Sequence, residues 1–461
     1  MSEDVVDTIA AISTPLGAGG IGIVRLSGPV AIAIADQIFR RPDKSALTSP
    51  QSFRQHYGFI IDPRSGAVID EVLLCVMRGP HSYTRDDVVE ICAHGGAVPL
   101  RAILELALAS GARLAMPGEF TQRAFLNGRI DLTQAEAVLD TISARTTAGL
   151  RAAQRHLHGE IGMQVRALRQ RLIALLASLE AAIDYAEDGL TFLTQAEIQE
   201  AITAIQAQLS DLIASHHQGR LLRDGAVTAI IGRPNTGKSS LLNALVGESR
   251  AIVTHIPGTT RDILEEQLEI AGVPLRLLDT AGIRQTDDFV EMIGVERSRA
   301  SLAQADLILL VLDRSMPLTA DDTSLFAVLH DRPVIVILNK ADLPARVQAD
   351  EMGYLGNAPV VHLSALTGDG MKDLVQAMQT LLLGGGIASE SPMLANLRQR
   401  QAAERAASFL ALSLATLADG GSEELLAVDL MAAADALADL TGEQLRDDVI
   451  GELFARFCVG K

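Results

Sequence analysis

Residues 232–240 read Gly232-Arg-Pro-Asn235-Thr236-Gly237-Lys238-Ser239-Ser240, a glycine loop closed by a lysine and two hydroxyls. Glycines let backbone N–H groups converge on a polyphosphate with no side chain in the way, and a helix starting there adds its partial positive charge. Lys238 then reaches the terminal phosphates and Ser239 holds Mg2+. Four more short motifs follow: Gly258-Thr259-Thr260-Arg261-Asp262, Asp279-Thr280-Ala281-Gly282, Asn339-Lys340-Ala341-Asp342 and Ser364-Ala365-Leu366. Thr260 can complete the Mg2+ shell when a γ-phosphate is present, and Asp279 can support the ion through water. Gly282 leaves room for its amide to approach the γ-phosphate. Asp342 can accept from both the N1–H and the 2-amino group of guanine, donors that adenine lacks on that edge, so the expected base is guanine.

These residues need elements to hold them. The apolar run Ala226–Ile231 before the loop and Leu241, Leu242, Ala244 and Leu245 at helical spacing after it predict strand, loop, helix. Further strands are expected over 264–270, 274–278, 305–312, 333–338 and 359–363. The motifs then fall at strand ends, where an open α/β sheet binds ligands. Residues 1–125 predict a compact α+β domain with strands over 58–61 and 68–77 and a helix over 97–109. Within it Gly17, Gly19 and Gly22 satisfy G-x-G-x-x-G, but Ile21, Ile23, Val24 and Leu26 continue as a strand instead of a helix, so a hairpin is expected and no dinucleotide site.

From Asp131 the period becomes helical, with capping boxes expected at Thr133-x-x-Glu136 and Thr194-x-x-Glu197. Leu168, Leu172, Leu175, Leu176, Leu179 and Ile183 make one apolar face of a long helix. Matching helices come only after residue 390, with Leu426, Leu430 and Leu437, and a last helix is expected to open at Thr441-x-x-Gln444. The reading is a discontinuous helical domain, 126–222 and 383–461, interrupted by a P-loop domain at 223–382. The junctions at 220–225 and from Leu381 onward are expected to be exposed and tolerant.

The 461 residues allow about three domains. A net charge of −18 argues against nonspecific binding to nucleic acid or anionic lipid over the whole surface. Arg151, Arg155, Arg166, Arg169 and Arg171, among His156 and His158, read either as a solvated helix face or as a local RNA contact. Cys75, Cys92 and Cys458 lack metal-ligand spacing; Cys75 and Cys92 are expected in the core. With no signal peptide and no membrane-length apolar run, the chain is expected to be soluble and cytoplasmic.

The order and spacing of the five nucleotide motifs resemble those of Ras-like GTPases. One position departs: Ile283 stands where such enzymes usually carry the glutamine that orients attacking water, leaving Asn235, the acidic Asp287, Asp288 and Glu291, or a cation from solution to take its place. Adding PLGAGGIGIVRLSG from residue 15, PGEFTQRAFLNGRIDLTQAEAV from residue 117 and the FCVGK ending, the chain resembles the MnmE/TrmE family of tRNA-modifying GTPases along essentially its full length.

That resemblance implies a multidomain fold of α/β and α+β parts: an N-terminal tetrahydrofolate-binding and dimerisation domain, the split helical domain and an inserted Ras-like G domain. It implies a homodimeric GTP hydrolase that works with the flavoprotein MnmG/GidA in a heterotetramer or larger complex. Together they add an aminomethyl or carboxymethylaminomethyl group to C5 of the wobble uridine of certain tRNAs, with a 5-formyl- or methylene-tetrahydrofolate as one-carbon source. Carried over by residue, K+ takes the place of an arginine finger on Asn235 and the backbone of Thr254, Ile256 and Thr259. His255 and Pro257 lie in the same GTP-binding stretch, Ser239 and Thr260 hold Mg2+, and Glu291 orients water through a bridging water. Arg25, Glu90, Arg129 and Lys461 match folate-site positions, and Cys458 reads either as a packed residue or as a nucleophile toward uridine C6. Departures are few: Thr236 stands where Ala or Val is common, Val459 where Ile is usual, and Arg129 where some relatives have Lys. A GTP-controlled RNA or ribosome assembly factor with no covalent chemistry is the alternative reading.

Overall fold

The computed structural model describes residues 7–460 except 16, 48, 185–192, 249–267, 279–301, 303, 348–356, 385–390, 444–450, 452, 456 and 458. These residues fall into two compact units, one of residues 7–139 with 437–460 and one of residues 140–436. No helix among them is long and apolar enough to cross a membrane.

The first unit is built on a seven-stranded sheet of β1 (Ile9–Ile12), β2 (Gly19–Ser27), β3 (Phe39–Arg40), β4 (Arg54–Ile61), β5 (Val68–Met77), β6 (Val88–Gly95) and β7 (Arg113–Leu114), in the order β3-β4-β5-β6-β2-β1-β7. Strict alternation puts Val24, Leu26, Leu74, Val76, Val89 and Ile91 on one face. Helices α1 (Ala31–Ile38) and α2 (Ala97–Ala109) cover that face with Ile34, Ile38, Leu100 and Ile103. The glycines at 17, 19 and 22 lie in and just before β2, which pairs antiparallel with β1 as expected. Gly22 serves packing: a Cβ there would run into the Leu100 side chain. Cys75 and Cys92 are half-buried, on the sheet face away from those helices; burial still raises both thiols above their ordinary pKa.

Helices α3 (Glu119–Leu126) and α4 (Leu132–Ser143) follow. Leu132 and Ala135 pack with Phe454 and Phe457, whose rings lie 5.1 Å apart, so the end of the chain is core to this unit. The cap of α4 differs from the expected one. Asp131 Oδ1 accepts from Gln134 N at 3.0 Å and Gln134 Oε1 accepts from Asp131 N at 3.0 Å, while Thr133 sits inside the first turn. An aspartate two residues earlier outcompetes the threonine because its carboxylate accepts more strongly.

In the second unit α5 (Thr147–Leu157) leads to α6 (Glu160–Asp184), which buries Leu168, Leu172, Leu175, Leu176 and Leu179; Ile183 is only half-buried and Ala182 closes the face. Helix α7 (Gln195–Ala214) opens with the expected Thr194/Glu197 capping box. The segment expected to be an exposed junction at 220–225 is instead the buried end of α8 (His216–Asp224), with Leu221 and Leu222 in the core. Arg220 there donates to Asp306 Oδ1 at 2.5 Å, and Asp306 Oδ2 accepts from Val227 N at 2.9 Å, which fixes where the next strand begins.

That strand is β8 (Ala226–Ile231), joined by β9 (Leu268–Ile270), β10 (Val273–Leu277), β11 (Leu307–Asp313), β12 (Val334–Asn339) and β13 (Val360–His362) in the order β13-β12-β11-β8-β10-β9. All pairings are parallel except β9 with β10. Strands β11 and β12 are apolar on both faces, as a sheet covered on both sides requires. Helices α9 (Lys238–Glu248), α10 (Ala320–Leu329) and α11 (Met371–Leu383) accompany the sheet. Beyond it α12 (Leu397–Ala418) packs along α7, and Gln195 Nε2 donates to Leu417 O at 2.7 Å across 222 residues of chain. Helix α13 (Glu423–Thr441) buries Leu426, Leu430 and Leu437. Thr441 ends this helix instead of opening another, its hydroxyl donating back to Ala438 O at 3.1 Å; 444–450 lie outside the described residues.

Candidate nucleotide-binding site

Strand β8 ends in the glycine loop, and α9 starts at Lys238 with Leu241 N donating to Gly237 O at 2.8 Å. Gly237 stands at φ 95°, where a Cβ would strike the Asn339 amide. Asn235 is left-handed at φ 62°, exposed, and its side chain makes no hydrogen bond among the described residues. Thr236 turns inward, its hydroxyl donating to Arg233 O at 3.0 Å. Ser239 and Ser240 are exposed on the first turn of α9. Lys238 Nζ donates to Gly232 O at 3.0 Å and Arg233 O at 2.6 Å, so its ammonium lies over the loop that a phosphate chain would enter.

The Asn339–Asp342 and Ser364–Leu366 motifs meet this loop from the ends of β12 and β13. Asn339, 2% exposed, donates through Nδ2 to Thr236 O at 2.8 Å and accepts at Oδ1 from Ala365 N at 3.0 Å. One buried amide therefore ties together three segments that lie far apart in the chain. Ser364 Oγ donates to Asp342 Oδ1 at 2.6 Å and accepts from Thr367 N at 3.2 Å. Leu366 is exposed beside them. Parallel strands place these loops on one edge of the sheet, so the P-loop and the 339–342 and 364–366 segments become parts of one cleft.

Two supporting residues were not singled out from sequence. Asp322, fully buried, accepts from Arg233 Nε at 2.8 Å and from Thr319 N at 3.0 Å, holding the loop against α10 while capping it. Asp313 accepts from Lys340 Nζ at 2.6 Å. The available signal was an acidic residue closing an apolar strand and followed two residues later by Ser315, the pattern of an Asx turn. Thr254, His255, Ile256, Pro257, Gly258, Thr259, Thr260, Asp279, Thr280, Ala281, Gly282 and Glu291 lie outside the described residues, as do Cys458 and Lys461.

In the first unit, Arg25 Nε donates to Glu90 Oε1 at 2.9 Å across the β2–β6 pair, and Arg25 Nη1 donates to Gly460 O at 3.2 Å. The Arg129 guanidinium lies 4.8 Å from the Tyr83 ring centre and that of Arg25 5.7 Å from it, while the Tyr83 hydroxyl bonds to that of Thr121 at 2.9 Å. Arg25 and Arg129 thus meet at one tyrosine, with Glu90 and Gly460 both bonded to Arg25.

Two family models match: the MnmE helical domain over residues 132–458 and the GTP-binding protein TrmE N-terminus over residues 8–129. The tRNA modification GTPase MnmE of Chloroflexus aurantiacus is 50% identical, covering 99% of this chain and 100% of its own length. Those of Geobacillus kaustophilus and Bacillus subtilis are 48% and 47% identical, each over 99% of this chain and 99% and 100% of their own lengths. Identity of that order along both chains, on a sheet whose loop ends carry a glycine loop and an Asn-Lys-Ala-Asp segment, leaves one assignment: the chain belongs to the MnmE/TrmE family of tRNA modification GTPases.

Proposed function

We propose that this chain is a K+-stimulated GTP hydrolase which, as a homodimer with a flavoprotein of the MnmG/GidA kind, installs an aminomethyl or carboxymethylaminomethyl group on C5 of the wobble uridine of certain tRNAs. The observation that carries the nucleotide part is Asn339, whose amide binds the P-loop on one side and the 364–366 loop on the other. Guanine at Asp342 and phosphates at the loop amides are then two ends of a single ligand. Lys238 exchanges two carbonyl acceptors for phosphate oxygens, a swap of like partners that costs little.

The residues present fit the ions and cofactor of this reading. Ser239 offers an exposed hydroxyl at the start of α9 for Mg2+, with Thr260 as its partner ligand, and the ion neutralises charge on the β- and γ-phosphates when bound. Asn235 offers an unengaged side-chain oxygen to K+, which Thr254, Ile256 and Thr259 would share through their carbonyls. Because Ile283 can neither donate nor accept, Glu291 orients the attacking water through a second water. Glu90, held by Arg25 at 2.9 Å, offers an acceptor to the pterin of a 5-formyl- or methylene-tetrahydrofolate beside the Tyr83 ring, while Arg129 and Lys461 supply cations for its carboxylates. Cys458, next to this cluster in the chain, is a candidate for attack on uridine C6. We assign 1–125 to folate binding and dimerisation, 126–222 with 383–461 to the helical domain and 223–382 to the G domain, with the protein acting in the cytoplasm.

Nucleoside analysis of tRNA from cells lacking the protein tests the whole reading. Loss of the C5-substituted wobble uridine is expected, and an unchanged profile overturns the tRNA assignment. GTP turnover by the purified protein is expected to be faster in K+ than in Na+ at equal ionic strength; equal rates remove the potassium site.

A further inference from the structure

We infer that Asp313 is a positioning residue for guanine recognition, acting through Lys340; this rests on the nucleotide reading above. Asp313 closes β11, directly opposite Asn339 in the β11–β12 register. Every contact of its carboxylate is committed. Oδ1 accepts from Ser315 N at 2.9 Å and Ser315 Oγ at 2.6 Å, and Oδ2 accepts from Lys340 Nζ at 2.6 Å. The side chain of Asp313 is 10% exposed against 34% for Lys340, so the anion is the fixed partner and the cation the one being held.

The backbone around the pair supports the same assignment. Lys340 stands at φ 61°, a left-handed conformation that is unfavourable for a residue with a Cβ. The loop keeps it there through Arg314 N to Asn339 O at 3.0 Å, Ala341 N to Leu363 O at 3.0 Å and Leu343 N to Lys340 O at 2.9 Å. A lysine held this way, and pinned at its tip, has few ways left to move. Only two residues further on lies Asp342, the acceptor for the base. Without Asp313, the Lys340 ammonium is a half-buried cation without its anion, and Asp342 is the carboxylate nearest to it in the chain. An Asp342 paired with that ammonium no longer accepts the N1–H and 2-amino donors of guanine. Asp313 therefore keeps a positive charge off the very carboxylate that reads the base, without touching the nucleotide itself.

The test is equilibrium binding of GTP and of ITP, which lacks the 2-amino group, to the full chain carrying Asp313→Ala, Asp313→Asn, Lys340→Ala or Asp313→Ala with Lys340→Ala. Asp313→Ala is expected to raise the GTP Kd about tenfold, the size of one charge-assisted hydrogen bond, and to narrow the preference for GTP over ITP. Removing Lys340 from that variant is expected to restore part of the preference, because the competing cation is gone; Asp313→Asn, which keeps an acceptor for Lys340, falls between. A GTP-to-ITP ratio unchanged by Asp313→Ala overturns the proposal, as do Asp313 and Lys340 effects that simply multiply as independent sites do. Should the alanine variant fail to fold, the isosteric Asp313→Asn carries the same ratio test. A wild-type chain that binds neither nucleotide overturns the site itself, an outcome distinct from an unchanged ratio.

Discussion

One oxygen of Asp342 is oriented by the Ser364 hydroxyl at 2.6 Å, and the other has no protein partner among the described residues. A carboxylate steered in this way, with acceptor capacity left over, suits a base that presents two adjacent donors. Asp342→Asn replaces part of that capacity with an N–H donor. It should weaken GTP by at least two orders of magnitude, the scale set by leaving a built polar site unpaired. It should also favour xanthosine triphosphate, whose 2-oxo group accepts where guanine donates; competition binding decides, and an unchanged GTP preference counts against the guanine assignment. Glu291→Ala should lower GTP turnover while leaving GTP affinity nearly intact, and a normal rate clears it of the proposed role. The burial of Asp313 opposes its charged form, yet Lys340 and Ser315 more than offset this and hold the carboxyl below its ordinary value. The Asp313 carboxylate therefore stays ionised throughout the neutral range in which these assays run.

Caps illustrate how an element is specified by very few atoms. Thr146 opens α5 by accepting from Gly149 N at 3.0 Å, and the same hydroxyl donates to Gly272 O at 2.8 Å in the turn between β9 and β10. Thr146→Val keeps the shape and removes both bonds. A loss of about 1–2 kcal/mol is expected, with Thr146→Ser close to wild type, measured by chemical denaturation. Gly22→Val is a different kind of failure, since β2 and α2 approach so closely there that the added atoms meet Leu100. The expected cost is about 1–3 kcal/mol from overpacking, read as a lowered midpoint of the first unit in the same experiment. These cases also explain which sequence signals held. Periodicity located α6 because a buried face repeats many times along an element, and the capping box at Thr194 and Glu197 located the start of α7. At α4 the expected cap is Thr133, and only the folded geometry shows Asp131, two residues earlier, taking the role.

Charge acts on the molecule as a whole. Asp7, Arg113, Glu119 and Arg123 form a connected network in the first unit, with Arg113 bonded to Asp7 at 2.6 Å and to Glu119 at 2.6 Å. The Arg113 hydrogen bond, joined by Arg123, holds the Asp7 carboxyl below its ordinary value; for Glu119, burial pushes upward but the two arginines and the Met116 amide prevail and the result is again lowered. Depressed folded-state values mean stability that is present above the unfolded values of 3.8 and 4.5 and is lost as pH falls through the lower folded ones. The thermal midpoint of the full chain should therefore fall below about pH 4.5, and Arg113→Met should flatten that part of the profile. A profile unaltered by the substitution would show that the network does not carry acid stability.

Sequence alone determined the parts whose physics is local: the strand, glycine loop and helix at 226–248 and the apolar faces of the long helices, because each depends on neighbours within a turn or two of chain. The tertiary structure alone decided which distant residues meet. Arg25 reaches a carbonyl 435 residues away, Asn339 reaches the P-loop across 103, and Arg220 finds Asp306 across 86, turning an expected exposed junction into buried structure. No periodicity encodes such pairs. They form because sheet pairing brings distant segments side by side, and because a buried donor or acceptor left without a partner is too costly to persist.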